Sequence, residues 1–106
     1  RCIRIQEYIQ TNYMNPALSI GSLAETFALS ANYISKQFKQ QTDTGLSDYI
    51  TQVRMTAAKR LLAETDQSIA QIAEAVGFYT ASVFIRAFKK WEGITPGKYR
   101  EIKDEK

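Results

Sequence analysis

The chain has 106 residues, of which 44% are hydrophobic and 24% charged, with a net charge of +3, and these are the proportions of an ordinary globular domain. No apolar run reaches the roughly 18 residues that span a bilayer, so a transmembrane segment is excluded. Histidine is absent and Cys2 is the single cysteine, which excludes internal disulfides, Cys/His zinc sites and Ser-His-Asp or Cys-His catalysis.

Apolar residues at helical spacing predict four helices in the first half of the chain. The first covers residues 2–13, Ser19 caps the second, and the third begins after Ser30. The longest apolar stripe predicts a fourth helix over residues 47–63, capped by Ser47.

The second half predicts three more helices. Ser68 opens a capping-box pattern for the fifth, and a break at Gly77 separates it from the sixth. Thr95 and Pro96 place a cap and a first-turn proline at the start of the last helix, which runs to about Lys103. The sequence therefore predicts an all-α fold of seven helices without a strand.

Residues 19–40 and 68–90 are two copies of one pattern. Each copy is a short helix, a tight turn and a longer helix, which is typical of a helix-turn-helix. Two copies are too few for a solenoid, so they predict a bilobed domain. The predicted boundaries are 1–45 for the first lobe, 46–64 for a linker helix and 65–106 for the second lobe.

The longer helix of each copy carries basic residues and no acidic residue. They are Lys36 and Lys39 within residues 30–42, and Arg86, Lys89 and Lys90 within residues 79–91. A phosphate backbone favours this arrangement, because each neutralised phosphate releases counterions. A helix face that only meets solvent usually mixes both signs, so the charge placement indicates a nucleic-acid partner.

Four motifs follow one another along the chain. They are Ser30-x-x-Tyr33-Ile34-Ser35-Lys36-x-Phe38-Lys39, then Arg54-x-x-x-Ala58-x-x-Leu61-Leu62, then Ile69-x-x-Ile72-Ala73-x-x-Val76-Gly77-Phe78 with Ser82-x-Phe84-x-Arg86-x-Phe88-Lys89-Lys90, and finally Gly93-x-Thr95-Pro96-x-x-Tyr99-Arg100. Together they resemble the C-terminal DNA-binding domain of AraC/XylS-type bacterial transcription regulators, over about residues 3–100.

The resemblance implies two homeodomain-like helix-turn-helix lobes held by the linker helix. Their recognition helices would enter successive major-groove segments on one face of double-stranded DNA, about 34 Å apart. It implies sequence-specific binding for transcription regulation in the bacterial cytoplasm, at the nucleoid, with RNA polymerase as a further partner. Because the chain starts at Arg1 without a Met, we expect an effector or sensor region upstream. We expect no cofactor, no metal and no membrane contact by this segment.

The resemblance and the outward helix positions give two sets of candidate contacts. The base-reading candidates are Asn32, Ser35, Lys36, Ala81, Ser82, Ile85 and Arg86. The DNA-backbone candidates are Lys39, Lys89, Lys90, Lys98 and Arg100. Arg86 is the strongest base reader or phosphate clamp, because an arginine forks onto guanine O6 and N7.

The second copy departs from the family pattern at two positions. Val83 stands where an aromatic residue is usual, and Ile85 where a small polar residue is usual. We expect Ile85 to face outward beside Arg86, where a thymine methyl contact, a partner contact and a tolerated surface position stay equally open.

Other conspicuous residues are interpreted as structural. Arg54, next to the apolar face of the linker helix, should bind a carboxylate or carbonyl groups rather than DNA. The aromatic residues on the apolar stripes should lie in the core rather than stack on bases; they are Phe27, Phe38, Phe84, Phe88, Trp91 and Tyr99.

Two other function classes compete with DNA binding. A helical protein-interaction module, docking on polymerase or a sensor, would bind its partner with little dependence on salt. An enzyme is disfavoured, since the sequence has no histidine, no cysteine pair and no phosphate-cradling glycine loop.

Overall fold

The computed structural model describes residues 2–104, and these form seven α-helices and no strand. The helices are α1 (Cys2–Asn12), α2 (Ile20–Thr26), α3 (Ala31–Thr42), α4 (Leu46–Glu64), α5 (Ile69–Ala75), α6 (Ala81–Glu92) and α7 (Pro96–Asp104). The predicted all-α fold, with two helix-turn-helix lobes joined by a long linker helix, is confirmed. No helix within residues 2–104 is long and apolar enough to cross a membrane.

The two short helices start in the same way, as the sequence predicts. The Ser68 hydroxyl accepts a hydrogen bond from the Gln71 backbone N–H at 3.0 Å, and the Ser68 N–H donates to the Gln71 side chain at 2.9 Å. Ser19 and Ser22 form the corresponding reciprocal pair at the start of α2. Each pair satisfies two backbone groups that the first helical turn leaves without partners.

The predicted cap of the linker helix is wrong. Gly45 is the N-cap of α4 and makes no side-chain capping bond, while Ser47 lies inside the first turn. The helix starts earlier because Leu46 is buried in the core of the first lobe, which fixes the chain direction before Ser47 is reached. The prediction that α7 starts at Thr95 and Pro96 is confirmed, since the Thr95 hydroxyl accepts from the Lys98 N–H at 3.1 Å.

The linker helix α4 contributes to two separate cores. Its first turns place Leu46 and Ile50 in a core with α1, α2 and α3. Its later turns place Met55, Ala58 and Leu62 in a core with α5 and α6. The molecule is elongated, 45 × 23 × 20 Å, because the two cores are arranged along one helix.

Most of the aromatic residues that we assign to the core lie there. Phe38, Phe84 and Phe88 are fully buried, and Phe27 and Tyr99 pack at the core margins. Trp91 is the exception, with 42% of its surface exposed. It lies in the last turn of α6, past the end of the second core, because periodicity predicts the face of a helix but not where the core ends along it.

Candidate nucleic-acid interface

The two helix-turn-helix units repeat each other in backbone geometry. Helices α2 and α5 each have seven residues, and α3 and α6 each have twelve. The turns begin with positive φ at equivalent residues, 57° at Ala28 and 104° at Gly77. The next N–H then donates back to the short helix in both copies, from Leu29 to the Ala24 carbonyl and from Phe78 to the Ala73 carbonyl, each at 2.9 Å. The duplicated sequence therefore forms a duplicated structure.

Each longer helix has a capped start and a buried face. Ser30 caps α3 and Thr80 caps α6, each accepting a backbone N–H at 3.1 Å. The caps and the buried phenylalanines fix both helices against their lobes. Since an α-helix turns 100° per residue, a side chain two residues before a buried Phe points away from the core. Lys36, two residues before Phe38, and Arg86, two before Phe88, take that position.

The same outward triplet appears on both helices. Residues at spacing i, i+4 and i+7 share one helix face, and these positions are exposed in each copy: Asn32, Lys36 and Lys39 on α3, and Ser82, Arg86 and Lys89 on α6. Lys90 is also exposed, and its counterpart in the first copy is the exposed Gln40, a residue that sequence inspection missed. The repeat alignment, at an offset of 50 residues, is the signal that identifies it.

The remaining base-reading candidates differ in exposure. Ile85 is exposed beside Arg86, with 38% of its surface accessible. Ser35 and Ala81 are half-buried, and Ala81 packs against the second core. Their side chains therefore lie at the edges of the outward faces rather than at the centres.

The acidic end of α6 is directed away from its basic face. Glu92, the last residue of α6, forms an ion pair with Lys59 of α4 at 3.3 Å. The carboxylate therefore meets the linker helix, and the outward triplet keeps its positive charge. Lys98, at the start of α7, is exposed and lies 3.8 Å from Glu101, a long pair that stabilises little.

Arg100 has a structural role that the sequence analysis did not predict. Its Nε donates to the Leu62 carbonyl at 3.1 Å and its Nη2 to the Thr65 carbonyl at 3.0 Å. These carbonyls lie at the C-terminal end of α4, which leaves them without partners inside the helix. Arg100 is partly buried and holds the fold through these two bonds, and a further contact with the DNA backbone stays a prediction.

Arg54 confirms the structural role expected for it. Its Nε donates to the Tyr13 carbonyl at 2.9 Å and its Nη2 to the Asn15 carbonyl at 3.0 Å, just past the end of α1. Burial lowers the pKa of the Arg54 guanidinium, and the neighbouring Tyr79 partly offsets this effect. Arg54 and Arg100 thus have the same structural role. Arg54 joins α4 to the end of α1, and Arg100 joins α7 to the end of α4.

Comparison with known proteins identifies the family. The sequence profile described as a helix-turn-helix domain matches residues 23–102. The crystal structure of the C-terminal domain of the two-component response regulator YesN from Fusobacterium nucleatum superposes with a TM-score of 0.88 at 40% identity, covering 91% of this chain and 93% of that one. The chain belongs to the AraC/XylS family of bacterial transcription regulators. Its function is sequence-specific DNA binding in transcription regulation.

Two further proteins are similar to this chain. The C-terminal domain of AraT, a response regulator from Geobacillus stearothermophilus, has a TM-score of 0.91 at 36% identity, covering 93% of this chain and 82% of that one. The bifunctional transcriptional activator/DNA repair enzyme AdaA of Bacillus subtilis is 39% identical over 92% of this chain and 46% of its own length. This AraC/XylS domain spans between about a tenth and a half of the length of the curated relatives that it matches.

Proposed function

We propose that this domain binds double-stranded DNA with α3 and α6 in successive major-groove segments on one DNA face. The observation that carries the proposal is the matched outward triplet on two capped, twelve-residue helices. The two lobes, with boundaries at 1–45, 46–64 and 65–106, would each place one helix in the groove. A domain 45 Å long is able to hold two reading helices about 34 Å apart, which is one turn of DNA.

The side chains at the centres of the two outward faces would read the bases. Arg86 lies at the centre of the α6 face and would fork onto a guanine, and Asn32 on α3 would pair with an adenine. Ile85, beside Arg86, would contact a thymine methyl group. Ser35, Lys36 and Ser82 complete the polar set. The half-buried Ala81 offers no hydrogen bond, so the second half-site would depend more on DNA shape.

Exposed lysines would hold the phosphate backbone and position the two helices. Lys39 and Lys89 are the third residues of the two outward triplets, and Lys90 and Lys98 extend the basic surface of the second lobe. The Lys39 ammonium donates to the Asp43 carbonyl at 3.3 Å, at the exposed end of α3. A phosphate oxygen offers such an ammonium a charged acceptor, so we expect the contact to exchange on DNA binding.

Substitution of Arg86 by alanine tests base reading. We expect Arg86→Ala to weaken binding to the cognate site by about tenfold or more and to a scrambled site by much less, because a bidentate guanine contact contributes about 1–3 kcal/mol of discrimination. The measurement is the dissociation constant for both duplexes in one buffer, after selection from random DNA has identified the cognate site.

The matched control is Lys89→Ala, three residues along the same exposed face. It should weaken both duplexes about equally and lower the salt slope by about 1, because a phosphate contact carries no sequence information. An unchanged ratio of cognate to scrambled affinity in Arg86→Ala would show that Arg86 does not read bases.

We also propose how this domain acts within a longer regulator. The relation to the response regulators YesN and AraT supports a sensor or effector region joined to this domain. We propose RNA polymerase as a further partner. We propose that this domain itself has no enzymatic activity, although its relative AdaA is described as a DNA repair enzyme as well as an activator. Its place would be the bacterial cytoplasm, at the nucleoid.

A further inference from the structure

The segment that follows α1 lies between the two lobes. Helix α1 packs in the first core through Ile5 and Ile9, but the Tyr13 side chain, just past the helix, packs against the second core. The backbone carbonyls of Tyr13 and Asn15 accept the two hydrogen bonds from Arg54. One short segment therefore contacts the first lobe, the linker helix and the second lobe.

The turn between α5 and α6 packs against the same segment and against Arg54. Gly77 is buried, and a Cβ atom there would collide with the Tyr13 carbonyl oxygen and lie 2.8 Å from Arg54 Nε. The Arg54 guanidinium carbon is 5.7 Å from the centre of the Phe78 ring, within the range of a cation–π contact. Arg54 thus binds the end of α1 and the turn before α6 with one planar group.

We propose that this interlobe joint, formed by Tyr13, Asn15, Arg54, Gly77 and Phe78, determines how many base pairs the domain accepts between its two half-sites. Arg54 would be a positioning residue that acts through the orientation of α6. The inference rests on the proposed function, because it assumes that α3 and α6 read separate half-sites. Helix α6 begins at Ala81, three residues after Phe78, so a shift of the turn moves the helix with it.

The chemistry of the joint suits a fixed spacing. One added base pair moves a half-site by about 3.4 Å and rotates it by about 35°, so α6 would have to move by a similar amount relative to α3. A guanidinium that donates to two carbonyls at once is held in position and in angle. A lysine at the same place keeps the charge but has a single nitrogen, so it restrains the angle less.

The test is a comparison of half-site spacings for the wild-type domain and Arg54→Lys. Selection from random DNA first gives the half-sites and their separation. Dissociation constants are then measured for duplexes with one base pair inserted or deleted between the half-sites. For the wild type we expect about a tenfold loss or more, in the range of a mismatched position. For Arg54→Lys we expect the same half-site sequences and less than about a threefold loss.

Arg100→Lys is the matched control, since Arg100 also donates to two carbonyls, but these lie at the C-terminal end of α4 and not in the first lobe. It should reduce stability while keeping the wild-type penalty for altered spacing. The proposal is overturned if Arg54→Lys loses as much affinity as the wild type when the spacing changes by one base pair. It is also overturned if Arg100→Lys tolerates the altered spacing as well as Arg54→Lys does. A wild-type domain that selects no paired half-sites would instead refute the proposed function itself.

Circular dichroism on each variant separates an altered joint from loss of folding. If Arg54→Lys does not fold, Phe78→Leu takes its place, because it removes the cation–π contact and leaves both Arg54 hydrogen bonds. We expect Phe78→Leu to reduce the spacing penalty by about half on a logarithmic scale. A folded Phe78→Leu domain with the full wild-type penalty overturns the proposal.

Discussion

At the scale of single residues, Ala28 and Gly77 stand at equivalent places in two turns but under different constraints. Both have positive φ, which costs an L-residue about 1–2 kcal/mol and glycine almost nothing. Ala28 is exposed, so its Cβ meets no neighbouring lobe. Gly77 is buried against Tyr13 and Arg54, where a Cβ has no room. The first turn therefore tolerates alanine, and the second requires glycine for its backbone angle and for the approach of the other lobe.

Two single substitutions, Gly77→Ala and Ala28→Gly, test this difference. We expect Gly77→Ala to lower the free energy of unfolding by about 3 kcal/mol, from backbone strain and the forced shift of the joint. Ala28→Gly should change it by between about 0 and +1 kcal/mol, because relief of strain is offset by the entropy of glycine in the unfolded chain. Urea denaturation followed by circular dichroism measures both. Equal destabilisation by the two changes would contradict the difference in crowding.

At the scale of helices, capping depends on where a helix begins in space. Ser19, Ser30, Ser68 and Thr80 each accept a backbone N–H at a helix start. Ser47 has the same residue type near the start of α4 and makes no such bond, because the buried Leu46 already belongs to the helix. The short helices α2 and α5, with seven residues each, depend most on their caps, since a helix of that length is unstable alone.

Removal of the hydroxyl groups tests this distinction. Ser68→Ala should lower the free energy of unfolding by about 1 kcal/mol, because the Gln71 N–H loses its acceptor and the reciprocal bond loses its support. Ser47→Ala should change it by less than about 0.5 kcal/mol, as is usual for an exposed residue without a partner role. Thermal unfolding of both variants provides the measurement, and a larger effect at Ser47 than at Ser68 would contradict the assignment of the caps.

At the scale of the whole molecule, the number of lysines that contact phosphate determines how steeply DNA affinity falls with salt concentration. Four exposed lysines are the proposed phosphate contacts: Lys39, Lys89, Lys90 and Lys98. With about 0.9 counterions released per contact, they predict a slope of about −3.6 for log affinity against log salt, or a loss of about a hundredfold from 50 to 200 mM salt. Titrations of the cognate duplex at several salt concentrations measure this slope.

A control for this slope is Arg60→Ala. Arg60 is exposed on α4, on the cleft between α1 and α4 rather than on the outward face of α3 or α6, so its loss should leave the slope unchanged. Binding that varies by less than about threefold over the same salt range would favour the alternative class, a helical module that docks on a protein.

Much of the fold could be predicted because its signals are local. Caps, prolines and the 3.6-residue period mark the helices, and the duplication from Ser19 to Ser68 identifies the two units before any contact is known. The outward direction of Lys36 and Arg86 follows from the same period. Their roles on DNA stay predictions, since exposure and charge show that a side chain is able to reach a ligand but not which atom it meets.

By itself, therefore, the sequence determined the seven helices, their repeat and the faces that they bury. Only the tertiary structure decided which groups Arg54 and Arg100 bind, the exposure of Trp91 and the need for glycine at position 77. The physical reason is the kind of partner involved. Both arginines donate to backbone carbonyls between 35 and 41 residues away. Because every residue has a backbone carbonyl, no pattern of side chains in the sequence identifies which carbonyl accepts the bond.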